Sequence, residues 1–93
     1  MAGHPANAPV MNALKELSEL YFEAGNANAG VTYKKAVAAL VEVDYEITAD
    51  NAMGLSKGKT KVSGIGKGTA EKIREFCSTG TIMKLEEKRK TVE

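Results

Sequence analysis

Two glycines flanking a single apolar residue, Gly64-Ile65-Gly66, stand directly ahead of the strongest helical pattern in the chain. Glycine reaches backbone conformations closed to other residues and lets a second group approach the main chain. A Gly-apolar-Gly step feeding a helix therefore demands a tight turn with its apolar residue packed inward. In the following segment Ala70, Ile73, Phe76 and Cys77 recur at helical spacing and form the inward face. Lys67, Glu71, Lys72, Arg74 and Glu75 take the outward positions, and Gly80 ends the helix.

The amides that open a helix have no intrahelical acceptor, and the helix dipole adds partial positive charge at that end. Behind a glycine turn they form an anion cradle that reads shape and charge but no base edge. The residues of this cradle are Gly64, Ile65, Gly66, Lys67 and Gly68. Nucleotide-loop alternatives fail on spacing. No strand and no third glycine support a dinucleotide fold, and GLSKGKT at 54–60 has three residues between its glycines where a P-loop needs four.

Upstream, the pattern is helical as well. A first helix starts around Pro9, carries Met11, Leu14, Leu17 and Tyr21 inward, and stops at Gly25. Residues 25–30 read as a connection. Thr32 then caps a second helix bearing Tyr33, Ala36, Val37, Leu40 and Val43, and Thr48 or Asp50 caps a short third one through Met53. Residues 54–60 read as a basic loop. The result is an all-α, compact four-helix domain, or five short helices, containing one helix-hairpin-helix. It spans 9–90, with tails at 1–8 and 91–93. With 93 residues there is room for one such domain.

Charge is segregated. Residues 1–50 carry three lysines against seven acids, and residues 51–93 carry ten Lys/Arg against five, although the whole chain is only +1. A basic half suits a polyanion, because each neutralised phosphate releases condensed counterions. No apolar run approaches the length of a membrane span, and the start MAGHPANAP has neither the charge nor the apolar stretch of a signal peptide, which predicts an intracellular protein with no membrane partner. Cys77 is single and reads as a structural thiol, and His4 as a solvated tail residue.

The run VSGIGKGTAEKIREFCSTGTIMKLEE, residues 62–87, resembles the helix-hairpin-helix region of the amino-terminal lyase domain in family X DNA polymerases. The likeness rests on the apolar-x-Gly-apolar-Gly hairpin, Ala70-Glu71-Lys72-Ile73, the Glu75-Phe76 pair, the Thr79-Gly80 stop and Lys84-Leu85. Weaker similarity at Asn12 to Leu20 and at Tyr33-Lys34-Lys35-Ala36 extends it to roughly 10–90.

This resemblance implies sequence-independent binding of gapped, nicked or single-stranded DNA in base excision repair, alongside other repair proteins, in the nucleus or another DNA-containing compartment. It also implies 5′-deoxyribose phosphate lyase chemistry, with Lys72 as the Schiff-base nucleophile and Glu71 and Tyr33 orienting it or assisting proton removal. Such a lysine must react as a neutral amine, which partial burial and a neighbouring cation, Lys84, would favour. Lys34, Lys35, Lys59, Lys61 and Lys84 join the DNA surface. No cofactor is required, but a monovalent cation would sit on the carbonyls of Thr60, Val62 and Ile65.

Two departures fall at the lyase pocket and remove positive charge, and a third is one of length. Asn28 and Ala29 stand where the family places a histidine and a lysine, Gly68 replaces a lysine at the helix start, and the stretch from Tyr33 to Gly64 is about six residues longer. An alternative reading is a helical protein-interaction module of a repair or recombination complex, without catalysis. Polymerase activity would need clustered metal-binding carboxylates, which this chain does not offer.

Overall fold

A computed structural model describes residues 4–58 and 61–92, with side chains as far as residue 90. Four α-helices carry the fold: α1 (Ala8–Glu23), α2 (Ala27–Leu40), α3 (Lys67–Thr79) and α4 (Met83–Val92). Short 3-10 turns, Pro5–Asn7 and Ala52–Ser56, precede α1 and the hairpin. No strand occurs among the described residues. None of the described helices is long and apolar enough to cross a membrane.

The first helix forms where its apolar spacing places it. Val10, Met11, Ala13, Leu14, Leu17 and Tyr21 are all buried along one stripe. α2 starts earlier than Thr32. The Asn26 side chain accepts a hydrogen bond from the Ala29 amide (3.2 Å) and caps the helix, so the connection shrinks to the turn around Gly25. Thr32 lies inside the helix and donates instead to the Asn28 carbonyl at 2.9 Å. α2 also ends before Val43, which is buried outside it.

The short third helix is a 3-10 turn opened by Asn51 rather than by Thr48 or Asp50. The Asn51 side chain accepts from the Thr48 amide (2.8 Å) and donates to the Glu46 carbonyl (3.0 Å). Gly54 and Ser56, expected in a loop, belong to that turn.

The expected tail at 1–8 is corrected where the structure describes it. His4 caps the first 3-10 turn, its Nδ1 accepting from the Ala6 amide at 3.1 Å, so it is not a free tail side chain. Asn7 is buried, accepts from the Ile47 amide (2.8 Å) and donates to the Tyr45 carbonyl (3.0 Å). One side chain thus pins the irregular 41–51 segment to the start of α1 and satisfies two backbone groups that no helix serves.

α1 and α2 pack as an antiparallel pair. Ser18 donates to the Gly30 carbonyl at 2.6 Å, and the Tyr21 and Tyr33 rings stack with centroids 5.6 Å apart. Leu14, Leu17, Leu40, Leu55, Ile73 and Ile82 are fully buried and draw α1, α2, the second 3-10 turn and α3 into one core. Each such side chain contributes about 1.5–3 kcal/mol relative to its exposed state.

α3 ends at Gly80, in the left-handed conformation (φ 83°), whose amide donates to the Phe76 carbonyl. α4 follows at once, and the Glu75 carboxylate accepts from the Met83 amide at 2.6 Å. Arg89 grips both carboxylate oxygens of Glu16 on α1 (2.7 and 2.6 Å) and also reaches Glu86 (2.8 Å). The guanidinium beside Glu16 holds that carboxyl below the usual carboxylate range.

Phe76 and Cys77, expected inside, are half-buried and pack against the rim of the core. The Cys77 thiol lies 3.5 Å from the Ile47 carbonyl, and burial, with Glu46 nearby, pushes its pKa up. The thiolate is the reactive form, so alkylation of the folded chain should run at least several-fold slower at pH 7.5 than in denaturant. Iodoacetamide kinetics across pH check this. A native rate equal to the unfolded one refutes the protected thiol.

Candidate nucleic-acid interface

The hairpin is built from backbone hydrogen bonds and one anchor. The Val62 amide donates to the Leu55 carbonyl (2.8 Å), tying the segment that enters the hairpin to the 3-10 turn, and the Ile65 amide closes the bend on the Val62 carbonyl (3.1 Å). Ile65 is 3% exposed, so the apolar residue between the glycines points into the core. Gly64 has φ +97°, in the region that favours glycine, and a Cβ there would meet the Ala39 Cβ at 3.4 Å and the Lys35 carbonyl at 3.5 Å. The turn therefore lies directly on α2, against the Lys35 carbonyl and Ala39.

Gly66 is extended (φ −89°, ψ 176°) and caps α3 without any side-chain hydrogen bond. The first amide of this region to find a helical acceptor is that of Ala70, which donates to the Gly66 carbonyl at 2.9 Å. A Cβ at Gly66 or Gly68 would meet open space. The opening of α3 is thus both uncapped and approachable, the two properties that an anion cradle needs. Lys61 and Lys67 are exposed on either side of it, and Lys35 is exposed on α2.

The remaining candidate residues are distributed more widely. Lys34 is exposed and lines a groove between α1 and α2, with Lys15, Phe22 and Val37. Lys84 is exposed and pairs loosely with Glu87 at 3.8 Å. Lys72 is half-buried on the flank of α3, and Glu71 beside it is exposed. No hydrogen bond or ion pair joins Lys72 to Glu71, Tyr33 or Lys84.

Tyr33 stacks on Tyr21, over whose ring the Lys88 ammonium sits 4.6 Å from the centroid. Burial pushes the Tyr33 phenol up, and Tyr21 adds to the effect, so Tyr33 is a hydrogen-bond donor at neutral pH and a poor proton acceptor. Lys88 escaped the sequence reading, because nothing in a run of alternating charges says which lysine folds over an aromatic ring. Asn28 and Ala29 sit in the first turn of α2 and supply no positive charge.

Lys59 and Thr60 lie outside the described residues. Of the other carbonyls proposed for a monovalent cation, that of Val62 already accepts the Ile65 amide. Among the described residues no three of His, Cys, Asp and Glu cluster in a metal-binding arrangement.

Glycine turn, buried apolar anchor and open helix start occur here in one continuous unit, and the sequence model of the helix-hairpin-helix domain matches residues 5–82. The chain belongs to the helix-hairpin-helix domain family. No curated protein matches the chain closely enough to count as a relative. As a helix-hairpin-helix domain the protein is a DNA-binding module, and its interface carries backbone amides and lysines rather than a helix presented for base reading. The matched span begins at the 3-10 turn that Asn7 anchors and ends at the buried Ile82, so α4 lies beyond it.

Proposed function

We propose that this helix-hairpin-helix domain binds gapped or nicked DNA during base excision repair and that Lys72 acts there as a 5′-deoxyribose phosphate lyase. The observation that carries the binding half is the uncapped start of α3, open at Gly66 and Gly68 and flanked by Lys61, Lys67 and Lys35. A DNA phosphate placed there accepts from the free amides and replaces the missing cap, while the lysines neutralise its neighbours. The lyase half is supported by the likeness to the family X lyase domain and by the half-buried position of Lys72.

In that chemistry the Lys72 amine attacks C1′ of the opened sugar, and water leaves to give an iminium ion. Loss of a C2′ proton then breaks the C3′–O bond. Glu71, exposed next to the lysine, is the nearest carboxylate in sequence for that proton. Tyr33, whose phenol burial keeps protonated at neutral pH, can lend a hydrogen bond but is not the group that takes that proton.

The test is borohydride reduction on a gapped duplex carrying a 5′-deoxyribose phosphate. The wild type should give a covalent adduct that Lys72→Ala loses, and both should bind the duplex with a log-log salt slope of about −3. Salt-steep binding without an adduct removes the lyase half, and loss of binding removes both. One observation favours the protein-interaction alternative: an apolar groove of about 590 Å³ between α1 and α2, where Phe22 is 41% exposed.

A further inference from the structure

Most of the described serine and threonine hydroxyls are committed within the fold. Ser18 donates to the Gly30 carbonyl, Ser56 to Met53, Thr79 to Glu75 and Thr81 to the Glu86 carboxylate, and Thr69 is buried. Ser63 and Ser78 are exposed and make no hydrogen bond. Ser78 shares its patch with Glu71, Arg74 and Glu75, an acidic setting near the end of α3.

The surroundings of Ser63 are the opposite. It lies on the hairpin turn, outside any helix, immediately before Gly64. In sequence, Lys57, Lys59 and Lys61 precede it and Lys67 follows. An exposed hydroxyl on irregular backbone amid lysines is the substrate form that a kinase with an acidic recognition cleft selects, because such enzymes discriminate by charge pattern.

We propose that Ser63 is the acceptor for a basophilic protein kinase and that phosphate at this position switches off DNA binding, an inference that rests on the DNA-binding reading above. In the transfer the Ser63 Oγ attacks the γ-phosphorus of ATP. Its proton passes to the kinase's base, the bond to the β-phosphate oxygen breaks, and ADP leaves. The hairpin thereby gains about 1.5 to 2 negative charges at neutral pH.

Geometry makes that charge effective. Three residues reach at most about 11 Å when fully extended, and the bond from the Ile65 amide to the Val62 carbonyl folds this stretch shorter. The new phosphate therefore lies roughly within one Debye length, about 8 Å at physiological salt, of the α3 opening. It repels an incoming DNA phosphate. It also competes for the same amides and for Lys67 from a tethered position, with an effective concentration on the order of millimolar.

The experiment uses the full chain carrying phosphoserine at 63, the unmodified chain, and a chain carrying phosphoserine at 78, titrated against a fluorescent gapped duplex at several salt concentrations. Phosphate at 63 should weaken binding at least tenfold and make the salt slope shallower by about one. Phosphate at 78 adds the same charge at the far end of α3 and should leave affinity within about twofold, since twelve residues of helix span about 18 Å. Circular dichroism verifies that all three chains are folded. Equal affinities for the phospho-63 and unmodified chains, or equal losses at 63 and 78, overturn the proposal.

An unmodified chain that binds none of the DNAs defeats the DNA-binding reading first and the switch with it. In a second arm, a lysine-directed kinase with ATP should label the wild type and spare Ser63→Ala. Label that persists in Ser63→Ala places the acceptor elsewhere and overturns the assignment.

Discussion

Asn7→Ala lowers the unfolding free energy by about 2–3 kcal/mol, a large effect for a side chain at the edge of the fold. Asn7 is 1% exposed and serves two backbone groups about forty residues away, the Ile47 amide and the Tyr45 carbonyl. Truncation strands both. A buried polar group left without a partner costs about 1–3 kcal/mol. The Ile47 amide bears the full penalty, and the Tyr45 carbonyl, beside a half-buried residue, recovers part of its loss from water. For a domain of this size the change lowers Tm by roughly 10–20 °C. Thermal denaturation followed by circular dichroism measures it directly. A shift under about 3 °C would mean that the 41–51 segment holds its place by apolar packing of Val43 and Ile47 alone.

Gly64→Val should disable the interface outright. At φ +97° a side chain is strained whatever the space, and here the Cβ would already touch Ala39 and the Lys35 carbonyl. The two γ-carbons of valine then have no room unless the hairpin lifts off α2. Together these cost about 2–4 kcal/mol locally, and lifting the turn misaligns the opening of α3 from the lysines around it. Affinity for a gapped duplex should fall more than tenfold while helix content stays within about a tenth of the wild-type value.

Gly66→Ala is the instructive companion. Its backbone is extended and its Cβ meets open space, so stability should change by less than about 1 kcal/mol. The methyl group nevertheless projects into the approach to the cradle, and binding should weaken several-fold. If Gly64→Val binds as well as the wild type, the hairpin is not the interface.

The helical architecture was readable because burial in this chain follows period 3.6 almost without interruption along α1 and α3. The hairpin was readable for a related reason: the Gly-Ile-Gly step has one economical solution, and Ile65 adopts it. The start of α2 was not. Thr32 and Asn26 are both good caps in isolation, and the choice between them is made by the rest of α2, where Gly30 packs under the Phe22 ring and receives the Ser18 hydroxyl.

The sequence alone leaves Asn7 in a tail, because its partners are main-chain atoms of 45 and 47, which carry no signature in side-chain pattern. The same limit applied to the site. Spacing along α3 marks Lys72 as an outward position but does not tell its half-burial, and the folding of Lys88 over Tyr21 depends on how α1, α2 and α4 meet, which is a property of three helices at once.

α4 differs in kind from the three helices before it. Among its residues with described side chains only Leu85 is buried, and α4 otherwise holds α1 through the exposed Arg89–Glu16 pair and one lysine laid over a ring. Ion pairs of that sort weaken with salt, whereas the Leu14, Leu17, Leu40 and Ile73 core does not. α4 is therefore held more lightly than the three helices before it. Its opening would release Arg89 from Glu16 and Lys88 from the Tyr21 ring without disturbing the hairpin, adding two cations to the basic surface.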